Sequence, residues 1–270
     1  MFEAYYGFSS PPFTRAVAPA SLFGSEQHRE LLARLRYLVT NRGFGLITGE
    51  VGSGKSTAIR ALGASLDVAR HPILYVSQSG LTPRHLYQEL SLALGLNPAH
   101  QTAEARRQVT RALWDAHACH DRRPLVVIDE AHLLSPAMLE EIRFLTNFQM
   151  DSASPMALCL VGQTELRSRL RLRAFEAISQ RVNLRFHLTG LPEPETKAYI
   201  GHHLKVAGVA HPLFSDEAVR LIYHFTKGIP RRVNNLGTAC LLAGYLGEKP
   251  LIDEDTVKKA LAELEDDLSA

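Results

Sequence analysis

Residues 49–56 read "GEVGSGKS", preceded by "FGLIT" at 44–48 and followed by "TAIRALGASL" at 57–66. Gly49, Gly54, Lys55 and Ser56 satisfy G-x-x-x-x-G-K-[ST], and the octet stands between a strand-length apolar run and a helix-period segment, the context in which such a loop works. Glycines let the backbone turn where a side chain would clash. The amides of residues 52–56 can then face phosphate oxygens, helped by the positive end of the following helix. Lys55 is expected to reach the β- and γ-phosphates, and Ser56 to present its hydroxyl to Mg²⁺. The predicted nucleotide-binding stretch is Gly49, Glu50, Val51, Gly52, Ser53, Gly54, Lys55, Ser56 and Thr57.

A second apolar run, "LVVIDEAH" at 125–132, ends in two adjacent carboxylates, Asp129 and Glu130. Such a pair at a strand tip is costly unless it binds a cation or does chemistry. Asp129 joins Ser56 as a predicted Mg²⁺ ligand, direct or through water, and Glu130 is assigned to orienting and polarising the attacking water. Hydrolysis of a nucleoside triphosphate is the chemistry this predicts, achieved by positioning and charge stabilisation. These residues alone do not separate ATP from GTP.

Around these motifs the chain alternates. Strand-length runs occur at 44–48, 73–77, 125–129, 157–162 and 184–188, with helical periodicity between them. The first four runs lack polar alternation and read as strands buried on both faces, the mark of a parallel sheet covered by helices. Thr82-Pro83 and Ser135-Pro136 read as helix starts, and Asp253 as the N-cap of a last helix. Beyond the Pro-rich turn at 192–194 only helical spacing remains, so the predicted domains are 1–192, α/β, and 193–270, all-helical.

The 270 residues carry a formal charge of +2, so net charge does not call for a polyanionic partner. Cys119, Cys159 and Cys240 show neither zinc spacing nor a disulfide framework, which fits a reducing cytoplasm. The N-terminus lacks the pattern of a secretory signal, and no apolar run approaches the roughly 18 residues of a membrane span.

Three further positions bear on catalysis. Gln163, after the fourth run, could place a polar group by the γ-phosphate or be an ordinary loop residue. Arg181, in "ISQRVNL", could reach a neighbouring subunit's phosphate as a finger or be a surface arginine. Arg231, in "KGIPRRVNN", could reach back to the phosphates from the start of a helix. The phosphate loop, "IDEAH", Gln163, "QRV" and "GIPRRVNN" in this order resemble the AAA+ ATPases. That resemblance implies a five-stranded parallel sheet in the order 5-1-4-3-2, an α-helical lid, ATP as nucleotide and Arg181 acting in trans. It also makes Gln163 and Arg231 sensors, and places the adenine pocket near Leu22–His28. Together, "YYGFSSPPF", "LFGSEQHRELLARL" and the phosphate loop are similar to the ExeA-type (GspA-type) subfamily, over about residues 2–265.

Two uses of such an engine follow from the resemblance. ExeA-type proteins usually continue into a membrane span and an envelope-binding domain, whereas this sequence ends at Ala270. That end resembles the free-standing transposition ATPases of the TnsC, MuB and IstB kind. The leading expectation is therefore a cytoplasmic ATPase that assembles with ATP on double-stranded DNA as a ring or helical homo-oligomer and recruits a transposase, with no membrane partner. The alternative is an ATPase module of a secretion or envelope-assembly system that ignores DNA. Candidate DNA contacts are Arg84, Arg106, Arg107 and Arg111; a solvated helix face is the other reading of these arginines. No base-reading motif is visible, so any such binding would be sequence-independent.

Overall fold

The computed structural model describes residues 2–14, 16–78, 80–148 and 153–269. After a short helix α1 (Phe2–Tyr6) the chain runs through α2 (Glu26–Thr40), β1 (Phe44–Gly49), α3 (Lys55–Ser65), β2 (Ile73–Val76), α4 (Pro83–Ala93) and α5 (Thr102–His120). It continues through β3 (Leu125–Ile128), α6 (Pro136–Leu145), β4 (Ala157–Gly162), α7 (Thr164–Arg169), α8 (Glu176–Ser179) and β5 (Leu184–Leu188). Four helices follow: α9 (Glu193–Val206), α10 (Asp216–Thr226), α11 (Pro230–Leu246) and α12 (Glu254–Ser269).

The five strands pair in parallel in the order β2-β3-β4-β1-β5, the order the resemblance implied. Successive residues of a strand face opposite sides, so β1, β3 and β4 each feed two cores. Leu46, Val126, Ile128, Leu158 and Leu160 pack with residues of α4, α5 and α6. Ile47, Leu125, Val127, Cys159 and Val161 pack with residues of α2 and α3. β1, β3 and β4 are buried at every position, as double coverage requires. β2 differs from the expectation: Leu74 and Val76 are buried but Tyr75 is 46% exposed, because β2 lies at the edge of the sheet.

Local capping follows the sequence. The side chains of Thr82 and Ser135 accept from the amides of His85 and Met138, each three residues on, and Asp253 accepts from Thr256.

The chain separates into two compact units: Glu26–Glu50 with Lys55–Leu188, and Met1–Ser25 with Val51–Gly54 and Thr189–Ala270. The second holds α1 and α9–α12, whose buried face joins Tyr199, Leu204, Ile222, Leu236, Leu241 and Val257. Tyr6, Phe8 and Phe13 belong to this helical core. The sequence-based boundary had assigned them to the α/β domain. An aperiodic stretch shows that its aromatics need burial, but not which core receives them.

Candidate functional site

The phosphate-loop stretch leaves β1 at Gly49 and enters α3 at Lys55. Gly52 (φ +83°) and Gly54 (φ +103°) lie in the left-handed region, where a side chain would be strained. Gly52 belongs to the helical unit, and there a Cβ on it would meet Cβ of Arg231 at 2.4 Å. The Arg231 amide donates to the Gly52 carbonyl at 3.2 Å, and its side chain is exposed. Ser53 is 5% exposed and its Oγ has no hydrogen-bond partner among the described residues. Glu50 and Val51 are exposed and Thr57 is half-buried in the first turn of α3. Lys55 Nζ donates to the carbonyls of Gly49 (2.9 Å) and Glu50 (2.8 Å), so its ammonium is folded back over the loop.

Asp129 follows directly on β3 and is 6% exposed. Its Oδ2 accepts from Ser56 Oγ at 3.1 Å and from Tyr75 Oη at 2.5 Å; its Oδ1 accepts from the Glu130 amide at 2.8 Å. Burial and the Asp129 hydrogen bond push the Tyr75 phenol up to about 12, so at neutral pH it is a donor. Glu130 takes a left-handed backbone (φ 52°), uncommon for a residue with a side chain, and its carboxylate is half exposed. His132 Nδ1 lies 3.5 Å from Glu130 Oε2.

Gln163 sits at the N-cap of α7, just past Gly162 of β4. The strand order puts the tip of β4 between those of β1 and β3, so Gln163 emerges between Gly49 and Asp129. Arg181 is half-buried ahead of β5, with a guanidinium nitrogen 3.4 Å from Thr146 Oγ1. Ser56 and Asp129 thus meet beyond the carboxyl ends of β1 and β3, with Lys55 and Glu130 beside them in the chain, while Arg181 is engaged elsewhere in the same unit.

The arginines considered for DNA divide. Arg84, Arg107 and Arg111 are exposed. Arg106 has a guanidinium nitrogen 2.5 Å and 2.6 Å from the two oxygens of Glu141, which also accepts from Tyr87 Oη at 2.5 Å. This places Arg106 in an ion pair linking α5 to α6.

Three contacts lie outside the site residues named from the sequence. Tyr75 reaches Asp129 from another strand. Arg169 donates to the carbonyls of His132 and Leu134, tying α7 to the turn after Glu130. Thr48 Oγ1 lies 3.0 Å from Nδ1 of His187 across the β1–β5 pair. Burial and the nearby Arg167 charge lower the pKa of His187. Each joins residues distant in sequence, and no spacing rule could pair them.

The donor set fits a nucleoside triphosphate with Mg²⁺. Two left-handed glycines shape the loop, the buried Ser53 hydroxyl has no partner among the described residues, and one hydroxyl–carboxylate pair of hard oxygen donors joins the start of α3 to the end of β3.

Residues 37–170 match the family model described as an AAA domain. The chain thus carries an AAA domain, of the AAA+ ATPase kind. Its nucleotide is accordingly ATP, with Mg²⁺, and its reaction ATP hydrolysis. The chain is 34% identical over 248 residues to General secretion pathway protein A of Aeromonas hydrophila, covering 91% of this chain and 45% of that protein. It therefore spans less than half the length of that relative. Among solved structures it resembles Cdc6p from Pyrobaculum aerophilum (TM-score 0.67, 16% identity, 93% of this chain and 70% of that one). It also resembles the Aeropyrum pernix ORC2 protein in its ADPNP–ADP complexes (TM-score 0.66, 18% identity, 93% and 70%). These two likenesses carry the fold alone. Of the two uses considered for this AAA+ chain, the sequence relative falls on the secretion side, and the comparisons give transposition no support.

Among the described residues no helix is long and apolar enough to cross a membrane.

Proposed function

We propose that this AAA+ chain is an ATPase module of a secretion or envelope-assembly system, converting ATP turnover into a change of grip on a protein partner. The observation that carries this reading is the 34% identity with General secretion pathway protein A, which extends over 91% of the chain and so includes the helical unit as well as the ATPase core. Lys55 holds the β- and γ-phosphates. Ser56 and Asp129 hold Mg²⁺, which when bound neutralises phosphate charge as a Lewis acid. Glu130 accepts hydrogen bonding from the attacking water and polarises it. Gln163, emerging between the tips of β1 and β3, senses the terminal phosphate, and Arg231 senses it from the lid. Arg181 completes the site of a second copy, so the working form is a homo-oligomer. The hydrogen bond between Ser56 and Asp129 supports the metal assignment.

The test is made in the organism that carries the chain. The chromosomal copy is replaced by Lys55→Ala, and export of secreted proteins is compared with the wild type. Export is expected to fall to the level of the deletion strain. Normal export would overturn the reading. So would ATP-dependent, salt-sensitive binding of the purified protein to duplex DNA, which would restore the nucleic-acid use.

A further inference from the structure

Tyr75 and Asp129 meet because of the sheet. In the β2–β3 register Tyr75 lies opposite Val127, and the Asp129 amide donates to the Val76 carbonyl at 2.8 Å, which carries the ladder one residue past β3. Asp129 is two residues beyond Val127, so it faces the same side as Tyr75 and lies on its diagonal. A long aromatic side chain spans that distance. The side in question is the one on which Val127 packs with α3 residues, and Ser56 is in the first turn of α3. β2 lies at the edge, so the Tyr75 ring has an exposed flank, while its hydroxyl turns inward to Asp129.

We propose that Tyr75 is a positioning residue for Asp129: its phenol holds Oδ2 in the direction from which that oxygen meets Ser56. Two hydroxyls on Oδ2 and the Glu130 amide on Oδ1 leave the carboxylate one orientation. A carboxylate so fixed presents its remaining lone pairs to a cation without first having to be ordered, and such outer partners govern metal affinity. Tyr75 acts through Asp129. The inference rests on the reading of Ser56 and Asp129 as the Mg²⁺ pair.

The experiment measures binding of a fluorescent ATP analogue to the purified full chain as MgCl₂ is raised, and again in EDTA. Tyr75→Phe keeps the ring and removes the hydroxyl. It is expected to raise the half-saturating Mg²⁺ concentration about tenfold and to leave affinity in EDTA unchanged. Asp129→Asn separates the two levels of the argument. If Asp129→Asn leaves the Mg²⁺ dependence unaltered, the metal pair itself is wrong. If Asp129→Asn shifts it and Tyr75→Phe does not, only the role of Tyr75 falls. Equal weakening of Tyr75→Phe with and without Mg²⁺ would also overturn the proposal, because that outcome reports damage to the loop rather than loss of carboxylate orientation.

Discussion

Both oxygens of Asp129 accept hydrogen bonds, whereas Glu130, one residue on, has its side chain half exposed, with His132 Nδ1 3.5 Å from its Oε2. The left-handed backbone of Glu130 separates the two carboxylates: one turns into the sheet tip and the other out of it. Their tasks separate with them. Glu130→Gln preserves shape and the amide hydrogen bond to Asp129, but removes the charge that would polarise water. It is expected to bind ATP as the wild type does and to hydrolyse it at least ~100-fold more slowly. Phosphate release under saturating ATP, with nucleotide binding measured alongside, checks both halves, and wild-type turnover would remove Glu130 from that role. At this scale the sequence was informative where chemistry is local. Lys55 and Ser56 follow from spacing within eight residues, and Asp129 and Glu130 from lying at the end of an apolar run. Tyr75 was not legible, because its contact exists only once β2 and β3 are in register.

The elements were legible where periodicity is strong and less so where faces compete. On α5, Ala105, Val109, Ala112 and Ala116 read as the apolar stripe; in the structure Ala105, Val109 and Leu113 are buried, the spacing i, i+4, i+8 having selected the larger side chain. That rotation brings Arg106 to Glu141 on α6, beside Tyr87 on α4, and its guanidinium lies 5.9 Å from the centroids of the Tyr87 and Phe144 rings. Glu141 is 8% exposed and Tyr87 fully buried, so the carboxylate needs both donors. The Arg106 side chain is 44% exposed, and solvent screening discounts the pair. Arg106→Ala is therefore expected to lower stability by only about 1 kcal/mol, seen as a reduced urea midpoint at unchanged slope. Arg107→Ala, on an exposed position of the same helix, should leave the midpoint where it is. Equal effects of the two substitutions would mean that the Arg106–Glu141 pair contributes nothing.

In the molecule as a whole, the helical unit has a hydrophobic core of its own, and that core contains a titratable group. His203 is 6% exposed, stacked on Phe13 and 4.4 Å from the Tyr199 ring centroid. Burial, with the neighbouring His202 charge adding to it, lowers its pKa to about 4. In the unfolded chain a histidine titrates near 6.5. Between those values the unfolded state takes up a proton that the folded state refuses, so stability falls as pH drops from about 6.5 to about 4. The span corresponds to about 3 kcal/mol from this one group. Lys249 and Thr256 depress the Asp253 carboxyl, so its contribution is held above the ordinary carboxylate range and lost only below it, outside this window. His203→Gln removes the proton-binding group while retaining a polar side chain. The difference in unfolding free energy between wild type and variant, followed from pH 7 to pH 4, is therefore expected to change by about 3 kcal/mol in favour of the variant. A difference independent of pH would show that His203 is not held neutral. Phe13 stands against that ring from the N-terminal segment, so the same measurement on Phe13→Ala should shrink the pH dependence, because opening the packing rehydrates the imidazole.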